Sequence, residues 1–128
     1  MKLFGHTLRV LEIGLDSRLR RHEILSGNVA NADTPGYRGR DLDVRRATIR
    51  RVIDEAATAS GETGVRVPGT PEDDVYEVDA PAGLDGNTVD IDRTMAGLAQ
   101  NGLEYSALAK SIRKKLALLR YVVTDGQG

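Results

Sequence analysis

Between residues 87 and 123 the chain places apolar or small residues in alternating steps of four and three: Ile91, Met95, Leu98, Gly102, Tyr105, Ala109, Ile112, Leu116, Leu119 and Val123. An unbroken spacing of this kind marks one continuous helix with a heptad seam and excludes a strand. The flanks agree with it. Asn87 and Thr88 are good N-cap residues, Asp90 and Asp92 fall in the first turn, and Arg113, Lys114, Lys115 and Arg120 gather toward the far end, where the helix dipole favours cations. Such a helix draws most of its stability from whatever covers its apolar stripe. A second, more broken set (Ala96, Ala99, Leu103, Leu108, Leu118, Val122) implies cover on more than one side.

Residues from about 4 to 32 repeat the pattern more weakly. Leu8, Leu11, Leu15, Leu25, Val29 and Ala32 share one seam, interrupted by Arg18 and His22, and Val10, Ile13 and Ile24 form a line beside it. This predicts a second long helix that covers the seam of the last one, with an apolar edge to spare. It ends at Asn28-Val29-Ala30-Asn31-Ala32-Asp33-Thr34-Pro35-Gly36-Tyr37. Thr34 is pushed out of the helical region by the proline after it, and Pro35-Gly36 suits the centre of a type II turn. Asn31 and Asp33 are placed to bond backbone groups released at the helix end.

Composition narrows the chemistry. The 128 residues fit one domain and include no Cys, no Trp and one Phe, so disulfides and thiolate metal sites are excluded and the core is modest. A net charge of −1 argues against a globally basic nucleic-acid binder. No apolar run approaches a membrane span, and His6, Arg9 and Glu12 interrupt what a cleavable signal peptide needs near its start. His6 and His22 lack the partners of a zinc helix, and Glu72-Asp73-Asp74 lacks the central Gly of a calcium loop. Asp41-Leu42-Asp43 and Asp90-Ile91-Asp92 read as capping or solvated carboxylates. With no nucleophile elbow, P-loop or dinucleotide fingerprint, the chain is expected not to be an enzyme and to take no cofactor, metal or small-molecule substrate.

The middle is charged. Arg38, Arg40, Arg45, Arg46, Arg50 and Arg51 cluster after the turn, and a phosphate-binding reading rests on them, against which stands the lack of a recognition-helix pattern. Ile49, Val52, Ile53 and Ala56 predict a short helix over 46–59. Residues 55–86 then carry eight acidic residues against one Arg, with five Gly and three of the four Pro, the composition of a flexible or weakly β excursion. Val65-Arg66-Val67 and Val75-Tyr76-Glu77-Val78 are the candidates for a hairpin, and the Arg-rich and acidic stretches invite contact between copies of the chain. The predicted fold is mostly α: two long terminal helices in a coiled-coil-like pair, with a short helix and an irregular or weakly β middle. Its divisions are 1–37, 38–86 and 87–128, the first and last forming one core.

The segment from Asn28 to Tyr37, continuing through Arg40-Asp41-Leu42-Asp43-Val44, resembles the signature of the bacterial flagellar rod and hook family. Leu84-Asp85-Gly86-Asn87-Thr88-Val89-Asp90 is similar to the phrase that opens the last helix in that family, and Tyr105 with the basic and apolar run 112–120 is the third match. Gly27 departs from it, standing where the family usually has Ser. The resemblance implies a structural subunit of the proximal rod of the flagellar basal body, spanning the periplasm. It implies export by the flagellar type III apparatus and polymerisation through the terminal helices. Implied partners are other copies, the rod protein FlgC, the adaptor FliE and the surrounding membrane ring. The motif and turn residues are then Asn28, Asn31, Asp33, Thr34, Pro35, Gly36 and Tyr37, and Gly86, Asn87, Thr88 and Asp90 open the last helix. The assembly seam is Leu8, Leu11, Leu15, Leu25 and Val29 with Ile91, Met95, Leu98, Tyr105, Ile112, Leu116, Leu119 and Val123. The competing readings are a cytoplasmic coiled-coil adaptor and a nucleic-acid binder using the Arg cluster.

Overall fold

The first helix, α1 (Lys2–Ala30), lies between two neighbours in the computed structural model, which describes residues 2–61 and 66–124. Against one side runs α3 (Ile91–Val123), antiparallel to it; against the other lies the short α2 (Val44–Ser60). Two three-residue strands, β1 (Arg40–Leu42) and β2 (Val75–Glu77), complete the fold, with a 3-10 turn at Pro71–Asp74 leading into β2. The expected fold class, mostly α with two long terminal helices and a weakly β middle, is the one observed.

Helix boundaries follow local chemistry. Asp43 caps α2 by accepting a hydrogen bond from Arg46 N at 2.9 Å, and Gly61 ends it in the left-handed conformation at φ 69. α3 differs from expectation at its start: its N-cap is Asp90, which accepts from Arg93 N at 2.9 Å, and not Asn87 or Thr88. Those two residues are engaged with the segment that follows α1 instead. The tail after Thr124 lies outside the described residues.

The β pairing also differs. β2 forms where a strand was expected, but its antiparallel partner is β1, with Arg40 opposite Glu77, Asp41 opposite Tyr76 and Leu42 opposite Val75. Arg66 and Val67 are not in a strand, and Val65 lies outside the described residues. The reason sits in α2. The buried Arg50 donates to the carbonyls of Val67, Pro68 and Gly69 at 2.7–3.1 Å, which directs that backbone toward α2 and away from a ladder. Asp74 receives the same guanidinium through two bonds of 2.9 and 3.0 Å. Arg46 adds a contact to Asp74 at 3.3 Å. These arginines therefore pair with the acidic stretch of their own chain, where contact between copies or a solvated surface was expected. Asp74, 1% exposed, has cations on hand to offset its desolvation.

Among the described residues four apolar side chains, Ile13, Leu25, Leu42 and Ala47, are buried, against eight polar ones. An interior this poor in apolar groups leaves much of the chain's apolar surface outside, which is where the functional question lies.

Candidate functional site

The two sequence motifs meet. In the turn that follows α1 the backbone carbonyls point toward the start of the last motif. The Asn87 side-chain amide donates to Asn31 O, Ala32 O and Thr34 O at 2.8–2.9 Å. Its Oδ1 accepts from Val89 N at 2.7 Å, so the whole amide is used. Thr88 continues the joint: its N donates to Tyr37 O at 3.0 Å and its Oγ1 accepts from Gly39 N at 2.9 Å. The Pro35-Gly36 turn forms as expected, with Tyr37 N bonded to Thr34 O and Gly36 at φ 72. Gly36 N reaches Asp85 O at 2.9 Å, and a Cβ on Gly86 would lie 3.6 Å from Gly36 Cα, so the two turns pack backbone to backbone.

Asn28 holds the other side of the joint. Its Nδ2 donates to Arg40 O at 2.6 Å and its Oδ1 accepts from Arg40 N at 3.0 Å, with the Tyr37 hydroxyl 3.5 Å away. Asn31 turns back onto Gly27 O at 2.8 Å, and Thr34 Oγ1 donates to Asn31 Oδ1. Asp33 is exposed. Arg21 completes the joint with a two-point bond to Asp41, both contacts 2.8 Å. Those hydrogen bonds raise the guanidinium's pKa further, against the opposing effect of burial.

The seam residues are placed differently. Toward α1 the last helix presents Thr94 and Asn101, both buried, with Glu104 paired to Arg18 and Asn101 Nδ2 donating to Arg18 O at 2.8 Å. Close approach comes from small residues. A Cβ on Gly14 would sit 3.4 Å from Leu108 Cδ1, and one on Gly97 3.4 Å from Leu25 Cδ1. Of the expected seam of α3, Leu98, Ala109, Ile112 and Leu119 are half-buried. Ile91, Met95, Tyr105, Leu116 and Val123 are 41–74% exposed. The expectation that α1 covers this seam is met at the first group only, because the helix is rotated so that a partly polar line faces α1. On α1, Leu25 is buried and Leu8, Leu11, Leu15 and Val29 are half-buried, while Ile13 of the neighbouring line is the deepest apolar residue.

Thr94, Asn101 and Ser17 were missed as contact residues. The one Asn inside the last helix was the available signal for Asn101. Arg38, Arg40 and Arg45 remain exposed, but Arg46 and Arg50 bond within the chain and Arg51 pairs with Asp16 at 3.0 Å, which breaks up the cluster as a phosphate-binding surface. No helix among the described residues is long and apolar enough to cross a membrane.

The family model described as Flagella basal body rod protein matches residues 8–38. Over longer alignments the chain is 33% identical to the flagellar basal body rod protein FlgB of Escherichia coli (strain K12), covering 88% of this chain and 92% of that one. It is 40% identical to FlgB of Yersinia enterocolitica, covering 81% and 82%. Against FlgB of Bacillus subtilis (strain 168) the identity is 29%, covering 99% and 100%.

Proposed function

Since this chain belongs to the FlgB family of flagellar basal body rod proteins, a structural role in the basal body of the flagellum is its premise, and we propose that it is a subunit of the proximal rod, polymerising through the outward face of α3. The observation that supports this most directly is the exposure of the apolar seam: Ile91, Met95, Leu116 and Val123 are each about half exposed or more, in one line along a helix. Large apolar residues aligned on an exposed face mark a surface awaiting a partner.

In this reading residues 1–37 and 87–128 act as one terminal-helix unit that packs against its counterparts in neighbouring subunits, and 38–86 is carried on the back of α1. The neighbours are other copies, FlgC, FliE and the membrane ring, reached after export through the flagellar type III apparatus. The test is Met95→Asp and Leu116→Asp, two changes at exposed sites. Both variants are expected to be secreted yet to be missing from purified basal bodies, with swimming lost. Normal swimming in both overturns the proposal.

A further inference from the structure

Among the residues from 66 to 85 one side chain is buried, and it is a charged one, Asp74. Val67, Val75, Val78 and Ala80 are half-buried and Pro68, Pro71 and Tyr76 are exposed, so the stretch has no apolar anchor in the core. A cavity of about 470 Å³ lies between it and α2, with Asp54, Ala57, Val67 and Pro71 in its walls. What spans the two is the Arg50 guanidinium, itself 3% exposed. Its Nε and Nη2 donate to the two carboxylate oxygens of Asp74 at 2.9 and 3.0 Å. Nη1 donates to Val67 O and Gly69 O at 3.0 and 2.7 Å, and Nη2 also to Pro68 O at 3.1 Å. All five N–H donors of the group are used. Arg46 and Arg20 add longer bonds of 3.3 Å to Pro68 O and Pro71 O, and Asp43 N to Asp74 O and Val78 N to Gly39 O, each 2.8 Å, extend the short β ladder.

We propose that Arg50 is a clasp, and that residues 66–78 open and close on it as one unit while the α1–α3 pair stays shut. A buried charge stripped of its partner is strongly unfavourable, so positions in which Asp74 is half withdrawn are avoided and the segment is either seated or off. Once it is off, water reaches both charges and the freed carbonyls together and offsets the broken bonds. Little apolar surface is uncovered in the process. Parting α1 from α3, by contrast, uncovers Leu25, which packs against Gly97. The two openings therefore differ in kind: the denaturant dependence of an opening scales with the surface it exposes, so that of the clasp is shallow and that of the helix pair steep. This device stands or falls independently of the rod reading.

The experiment is hydrogen exchange of the purified full chain, followed amide by amide by NMR over a series of low urea concentrations. The Asp43 and Val78 amides, whose bonds break when the segment lifts, report the clasp; the Ser17 and Asn101 amides, in the buried parts of α1 and α3, report the helix pair. Asp43 and Val78 are expected to exchange about tenfold faster or more, with little response to urea, while Ser17 and Asn101 respond steeply. Arg50→Lys keeps the charge but not the planar fork, and is expected to speed Asp43 and Val78 by a further tenfold or so while leaving Ser17 and Asn101 unchanged. One common rate and urea slope for all four amides in the unaltered chain overturns the proposal whether or not the lysine variant folds. So does a lysine variant in which all four accelerate alike, or one in which Asp43 and Val78 keep their rates.

Discussion

Asn28 and Arg40 are joined at two points, the side-chain amide of the first giving and taking one hydrogen bond each with the backbone of the second. An amide side chain has the donor and acceptor of a peptide, so Asn28 serves as a strand neighbour for Arg40 and ties β1 to α1. Asn28 is 2% exposed, so Asn28→Ala leaves both groups of Arg40 stranded and is expected to cost about 2–3 kcal/mol. Asn28→Asp keeps the acceptor but sets a carboxylate oxygen against the Arg40 carbonyl, and is expected to cost at least as much. Urea denaturation measures the loss, and faster hydrogen exchange at the Arg40 amide locates it.

Asn87 makes the corresponding link from the other motif. Its amide serves three carbonyls of the turn after α1, so Asn87→Ala takes a donor from each and Asn87→Asp replaces the donor by a repelling charge. The alanine change is expected to cost about 2–3 kcal/mol and the aspartate change more. Thermal unfolding of the two variants beside the parent checks the order. An aspartate variant as stable as the parent rejects the geometry.

The turn at Pro35-Gly36 was legible because each residue has one conformational part to play there, and the heptad period of α3 was legible because ten spaced residues agreed. The rotation of that helix was not. Periodicity says which residues share a face, but which face turns inward depends on the partner, and here Gly14 and Gly97 leave room for the side chains of Leu108 and Leu25 on the facing helix. Likewise Val65-Arg66-Val67 is nearer to β2 along the chain than β1 is, and local proximity favoured it. The carbonyls taken by Arg50 are a tertiary fact that no local pattern carries. Asn87 read as the cap of its own helix, and it bonds the turn that follows α1 instead.

Acid opens the 3-10 turn only once the Asp73 carboxyl takes up a proton. Thr70 N and Oγ1 donate to Asp73 Oδ2 at 2.5 and 3.2 Å, and these bonds, the backbone one foremost, hold the Asp73 carboxyl below its ordinary 3.8. A depressed folded pKa contributes stability that is complete above the unfolded value and lost as pH falls through the folded one. The turn is therefore expected to be fully capped at neutral pH and to open only below 3.8. Following the Thr70 amide by NMR during an acid titration checks this, and Asp73→Asn should abolish the transition.

Glycines in the helices separate packing from propensity. Nothing lies within 4 Å of a Cβ built on Gly27, so Gly27→Ala is expected to stabilise by about 0.5–1 kcal/mol. At Gly14 the new methyl meets only the mobile end of Leu108, so Gly14→Ala should stabilise slightly less. Gly14→Leu must push α3 away and is expected to cost about 1–3 kcal/mol. Denaturation midpoints of the three variants should fall in that order.

Asn101 is 2% exposed, and its Oδ1 has no partner while its Nδ2 is bonded to Arg18 O. A buried amide used by half lowers stability, yet it also fixes the register of a helix pair, since any slip removes its one bond. Asn101→Leu is therefore expected to raise the stability of the pair by about 1 kcal/mol and to loosen its register. The two effects are separable. A cysteine pair at Gly14 and Leu108, which face one another, should be bridged by a short bifunctional thiol reagent with Asn101 in place and less so with Leu, alongside new crosslinks from Gly14→Cys to cysteines one turn away on α3. Unchanged crosslinking in the leucine variant assigns the register to the glycine contacts alone.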